Sequence, residues 1–251
     1  MKTILYSFLI LILFASCSSD DPSDMDMSTQ DTEDTNTPDP DDDDDPEPLQ
    51  IYKILSLGDS YTIGQSVCNT CRFPEQLNDS LTHIISNSNI ISTVIAQTGW
   101  TTTDLQIGIA SETLTTDYEL VTLLIGVNNQ FQNAPFSIYE TEFPQLVETA
   151  IMAANGDKSN LIVLSIPDYA FTPFGQNNGN PVETSQEIDV YNTFIETYCS
   201  QENISFLNIT DITRMGLEDP SLVAADGLHP SQSAYTKFVE RLLPLALEKI
   251  L

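Results

Sequence analysis

From residue 51 to the end, short runs of apolar, largely β-branched residues alternate with longer stretches whose apolar positions recur every three or four residues. That alternation restricts the chain to an α/β domain built on a mostly parallel sheet. Five runs read as strands: 51–57, 90–96, 120–126, 160–166 and 204–209. Most are largely apolar, as strands covered by helices on both faces should be. Composition excludes collagen, coiled coil and wholesale disorder, since the 251 residues are 41% hydrophobic and 8% aromatic.

The intervening segments read as amphipathic helices. Pro74 can open one whose stripe is Leu77, Leu81, Ile84 and Ile85. Ser137 with Glu140, and Thr184 with Glu187, carry the spacing of capping boxes. The first precedes Leu146, Val147 and Ile151, and the second precedes a stripe of Ile188, Tyr191, Ile195 and Tyr198. Tyr235, Phe238, Val239 and Leu242 mark the last helix. All of these stripes are expected to be core. Residues 171–181, rich in Gly, Asn and Pro, follow the fourth strand and are expected to form an irregular, substrate-facing loop.

The N-terminal quarter is of a different kind. Lys2 precedes an apolar run over residues 4–14, which is too short to span a bilayer and reads as an export signal over residues 1–16. Ala15-Ser16-Cys17 resembles the bacterial lipobox, with Phe14 in place of the usual Leu; this implies lipidation of Cys17, an ordinary secretory signal being the alternative. Residues 17–48 read as an acidic, extended tether holding 12 Asp and 2 Glu without a base. The run of Asp at 41–45 lacks the Gly turn and spaced ligands of a dedicated calcium loop. Localisation is therefore expected outside the cytoplasm, as a periplasmic or surface lipoprotein held to the membrane only by its lipid. Residues 49–251 form the folded domain, with 7 Lys and Arg against 23 Asp and Glu. A chain of net charge -29 with no basic patch argues against a nucleic-acid partner.

In an open parallel sheet ligands gather beyond the carboxyl ends of the strands. The first strand runs into Gly58-Asp59-Ser60-Tyr61, where a tight turn would expose a serine hydroxyl. A serine needs a base, and the chain has two histidines. His83 falls within the amphipathic segment from Leu77 to Ile85, beside Ile84, and reads as a helix-surface residue. His229 lies in Asp226-Gly227-Leu228-His229, where one loop can supply both an imidazole and the carboxylate that orients it. Gly99 after the second strand and Asn128 after the third are candidate donors to an oxyanion. Each element taken singly is also what an ordinary turn would contain.

Together, Gly58-Asp59-Ser60, Gly99, Gly126-x-Asn128 and Asp226-x-x-His229 resemble, in order, the four blocks of the SGNH (GDSL-type) hydrolase family. The resemblance covers about residues 51–250. It implies a flavodoxin-like, three-layer α/β/α sandwich on a five-stranded parallel sheet. It further implies Ser60 as nucleophile, His229 as base, Asp226 as its orienting acid, and an oxyanion hole from the Ser60 amide, the Gly99 amide and the Asn128 side chain. Tyr61 replaces the Leu of the family's name, and Asn129 stands where the family commonly has Asp. The second departure is expected to alter loop hydrogen bonding and leave the mechanism intact. The G-x-S-x-G elbow of the α/β-hydrolases is absent from the sequence.

The implied reaction is two-step ester hydrolysis through an acyl-serine, which calls for neither metal nor cofactor. Short acyl esters on carbohydrate are the expected substrates, with lysophospholipids and simple esters, acyl transfer, or non-catalytic carbohydrate binding as alternatives; oligomeric state is left open. Of the cysteines other than Cys17, Cys68 and Cys71 are expected to form a local disulfide in an oxidising compartment. Half of a zinc site or a redox motif is the less favoured reading of the same spacing. Cys199 is left without an assigned role.

Overall fold

The computed structural model describes residues 48–251. The expected signal segment, tether and Cys17 lie outside the described residues. Five strands form one all-parallel sheet: β1 (Gln50–Gly58), β2 (Ser88–Ala96), β3 (Leu120–Leu124), β4 (Leu161–Leu164) and β5 (Ser205–Leu207), in the order β2-β1-β3-β4-β5. Each coincides with a run read from the sequence. β3 and β4, in the sheet interior, are buried at every position, whereas Ile91 on the edge strand β2 is exposed.

Among the described residues the sheet is accompanied by four short 3-10 turns and nine α-helices. The α-helices are α1 (Ser60–Ile63), α2 (Phe73–Ile84), α3 (Thr102–Ser111), α4 (Val127–Phe131), α5 (Phe136–Ala153), α6 (Pro173–Asn177), α7 (Pro181–Glu202), α8 (Thr210–Thr213) and α9 (Gln232–Ile250). Parallel crossovers are right-handed, so the reversal of direction between β1→β2 and the later connections sends helices to both faces. Accordingly α2 packs on α9 to form one layer, while α3 packs on α5 in the other. The result is the flavodoxin-like three-layer sandwich, with a continuous apolar core on both sides of the sheet.

Local details depart from the sequence reading where tertiary packing or a stronger start signal intervenes. Ser137 and Glu140 do not cap α5: the helix starts at Phe136 after Pro135, with no side-chain cap. The Phe136 ring, set against Tyr139, Tyr191 and Phe194, pins that entry instead. Thr184 and Glu187 do not begin α7 either. Asn180 accepts from the amides of Val182 and Glu183, and Pro181 fills the first turn, so the helix starts before Thr184. In α2, Leu77 and Leu81 are fully buried, but Ile84 is half exposed. Residues 171–181 are also less irregular than expected, since Thr172 caps the short α6 within them.

Candidate active site

Register brings the sequence candidates to one rim. Gly58 at the end of β1 is paired with Ala96 of β2 on one side and Leu124 of β3 on the other, so the segments leaving all three strands emerge together. A Cβ on Gly58 would lie 2.5 Å from the Leu124 carbonyl oxygen, so only glycine lets β1 turn this closely against β3. Asp59 then caps α1, its Oδ1 accepting from the Tyr61 amide at 2.9 Å, and Ser60 opens the helix. Gly99, beyond β2, has φ +86 with open space where a side chain would be.

Ser60, Gly99, Asn128 and His229 line one pocket of about 190 Å³. Its apolar wall is made by Val127, Phe131, Tyr169 and Leu228. Phe131 is 48% exposed at the mouth and meets Tyr169 edge-on, with Phe174 beside it. His229 is buried and its ring lies 5.2 Å from that of Tyr61. Its Nδ1 is 2.6 Å from Oδ2 of Asp226. With Nδ1 donating to this carboxylate, Nε2 is left with a lone pair to take a proton. A serine, an imidazole in that tautomer and amide donors around one cavity can together perform acyl transfer.

The two carboxylates of the site are held in opposite ways. Burial works against ionisation of Asp226, but hydrogen bonds from Ser66, His229 and the amides of Leu228 and His229 outweigh it and bring its pKa down to about 2. Asp59 is completely buried, and that burial lifts its pKa to about 7 against the opposing donors, the Tyr61 amide and the Asn128 side chain. Asn128 Nδ2 donates to Asp59 Oδ2 at 3.3 Å and to the Trp100 carbonyl at 3.0 Å, which fixes its amide plane at the pocket wall. The neighbouring Asn129 is buried, accepting from the Thr102 amide and donating to the Thr102 hydroxyl, and so ties α4 to α3.

Several contributors, Phe131 among them, were given no role in the sequence reading. Asp59 was legible as a turn or helix-capping residue of the first block, but its buried contact with Asn128 was not. Tyr169 reaches the pocket from the segment after β4, where its hydroxyl donates to Gln130 Oε1 and Gln130 donates to Glu187. Ser66, on the loop between α1 and α2, has no local signal at all. Among the other candidates, His83 stands on the exposed face of α2 with Nδ1 2.7 Å from the Asp79 carbonyl oxygen, remote from the pocket lining. Cys68 and Cys71 are joined in a disulfide on the α1–α2 loop. Cys199 is a free thiol in the core, and burial pushes its pKa up to about 12. Among the described residues no cluster of His, Cys, Asp or Glu is disposed to hold a metal ion, and no helix is long and apolar enough to cross a membrane.

Residues 56–237 match the model of the GDSL-like Lipase/Acylhydrolase family. The fold is similar to that of the psychrotrophic esterase EstA from a Pseudoalteromonas species, with TM-score 0.59 and 16% identity over 78% of this chain and 97% of that one. The acetylxylan esterase Axe2 from Geobacillus stearothermophilus gives TM-score 0.54 and 17% identity, over 80% of this chain and 95% of that one. A member of the lipolytic G-D-S-L family from Veillonella parvula gives TM-score 0.54 and 18% identity, over 78% and 97%. Among curated proteins none matches this sequence. With its family model spanning most of the chain, and its sheet and helical layers those of the family's solved structures, the protein belongs to the GDSL-like lipase/acylhydrolase family and is an SGNH-type carboxylic ester hydrolase.

Proposed function

We propose that the protein removes short acyl groups, acetyl above all, from carbohydrate esters outside the cytoplasm, through an acyl-enzyme on Ser60. The observation that carries this reading is the single pocket of about 190 Å³ in which Ser60, His229, Gly99 and Asn128 converge. In the first step His229 Nε2 takes the Ser60 proton as Oγ attacks the acyl carbonyl. The tetrahedral oxyanion then faces the amides of Ser60 and Gly99 and the Asn128 side chain, whose Nδ2 gives up one of its two resting hydrogen bonds to donate to it, and the same imidazole protonates the departing alcohol. Water, activated by His229, releases the acid and restores the serine. Asp226 stays ionised throughout and stabilises the imidazolium.

The pocket volume suits a short acyl group, and similarity in fold to an acetylxylan esterase is compatible with a sugar alcohol. The exposed Phe131 at the mouth favours the second reading, an esterase acting on longer acyl chains of lipid. A lipid at Cys17 and an acidic tether over residues 17–48 would hold the enzyme at a membrane while leaving it free to reach an extended polymer.

Turnover of p-nitrophenyl acetate against p-nitrophenyl octanoate, with Ser60→Ala and His229→Ala as controls, tests the proposal. Serine-dependent turnover favouring acetate is the expected result and leads to a screen of acetylated glycans. Preference for octanoate transfers the assignment to lipid esters. Turnover unchanged in both variants, with no labelling of Ser60 by a fluorophosphonate, rejects catalysis at this pocket in favour of a binding protein.

A further inference from the structure

The loop between α1 and α2 closes on the base-bearing loop from outside the pocket. Ser66 Oγ donates to Asp226 Oδ2 at 2.6 Å, the same oxygen that faces His229 Nδ1. Asp226 is itself the more open member of the pair, its side chain 30% exposed against 9% for His229, so it lacks the packing that would otherwise fix its rotamer. The two amides of Leu228 and His229 hold Oδ1 from within its own loop, and Ser66 supplies the one side-chain hydrogen bond to Asp226 from another part of the chain among those of the described residues.

The backbone is arranged for that contact at some cost. Ser66 has φ +69, and the other four non-glycine residues of positive φ among the described residues are all asparagine, which adopts this region more readily. The loop that keeps Ser66 there is anchored on every side. The amides of Gly64 and Gln65 donate to the Ser60 carbonyl, Val67 packs on the core, the Cys68–Cys71 disulfide closes the next turn, and Gln76 Nε2 donates to the Cys71 carbonyl at 2.5 Å. Gln65 Oε1 also accepts from the Thr98 hydroxyl next to Gly99, so one loop touches both the acid and the oxyanion side of the pocket.

We infer that Ser66 is a positioning residue for this hydrolase, holding the Asp226 carboxylate in the orientation that sets the His229 tautomer. The inference deepens the proposed mechanism and rests on it. Ser66 touches no reacting atom; it acts through Asp226, from a segment held by a disulfide whose own cysteines are outside the pocket lining.

The test uses the full-length protein and three substitutions chosen by backbone preference. Ser66→Gly suits φ +69 better than serine and removes only the donor. Ser66→Ala removes the donor and strains the backbone. Ser66→Asn tolerates the left-handed region and restores an N–H donor. If the hydroxyl positions Asp226, both Gly and Ala lower kcat on p-nitrophenyl acetate by roughly 5- to 20-fold, KM is unchanged, and Asn recovers part of the loss. The downfield Nδ1–H resonance of His229 in the proton spectrum, separated from that of His83 by a His83→Gln control, is displaced in Ser66→Gly. Wild-type kcat and an unmoved resonance in Ser66→Gly overturn the inference, as does a loss confined to Ser66→Ala and accompanied by a lower Tm. Should wild type show no Ser60-dependent turnover, the proposed function fails and the resonance alone decides whether Ser66 orders the pair.

Discussion

Asp59 and Asp226 flank the same pocket, yet one is held near neutrality and the other firmly ionised. Asp226 receives four donors on a loop open to water, and its pKa falls to about 2. Asp59 receives three, one of them from its own amide, in complete burial, and its pKa rises to about 7. The number of donors and access to water, not proximity to the reacting groups, set the charge of each. The contrast also separates two tasks. A carboxylate that must stabilise an imidazolium keeps its charge through hydrogen bonds, whereas one that orients a neutral amide, as Asp59 does with Asn128, sits where charge is costly.

Substitutions break this comparison in a graded order. Asp226→Asn preserves shape but reverses the donor facing Nδ1, so kcat should fall about 10³- to 10⁴-fold in steady-state assays, with Tm little changed. Asn128→Ala removes the side chain proposed to donate to the oxyanion, which Asp59 holds in the resting site, and a loss on the order of 10²- to 10³-fold in kcat is expected, with KM nearly constant. Asp59→Asn sets an amide donor against the Asn128 amide, and turnover should drop about tenfold as that donor reorients. At the small end, His83→Ala on the exposed face of α2 should leave turnover within about a factor of two of wild type.

Stability against pH sharpens the same contrast. For Asp59 the folded pKa, about 7, lies above the ordinary 3.8, so the folded state binds more protons in that window. Its contribution therefore falls as pH rises from about 4 to about 7 and stays low above. Asp226 has the opposite sign: with a folded pKa of about 2 it stabilises fully above 3.8 and loses that contribution as pH drops toward 2. Calorimetry on Asp59→Asn should show the decline in Tm between pH 5 and pH 8 reduced by several degrees, at about 2–4 °C per kcal/mol for a domain of this size. An unchanged decline would mean that Asp59 is ionised at little cost.

The strands were legible because residues covered on both faces leave a largely apolar run; β3 and β4 are buried along their whole length, and only Thr122 of β3 interrupts the apolar pattern. Helix starts were less legible. The Ser137–Glu140 and Thr184–Glu187 pairs have capping-box spacing, yet Phe136 and Pro181 begin the helices earlier, since an aromatic cluster in one case and an Asn-Pro pair in the other fix the entry. Ser60, Gly99, Asn128 and His229 lie in the family blocks, and the register of β1 with β2 and β3 explains how the first three reach one pocket. Tyr169 and Phe131 carry no such signal, because an aromatic residue at a pocket mouth has the same local pattern as one in the core.

By itself the sequence determined the α/β class, the strand order of events along the chain, and the residue types able to perform acyl transfer, all of which are written in periodicity and motif spacing. Tertiary structure alone decided that Ser66 would meet Asp226 across 160 positions, that Asp59 would be buried against Asn128, and that the two aspartates would differ in charge. Those outcomes depend on burial and on donors brought from distant segments, and neither quantity exists until the chain has packed.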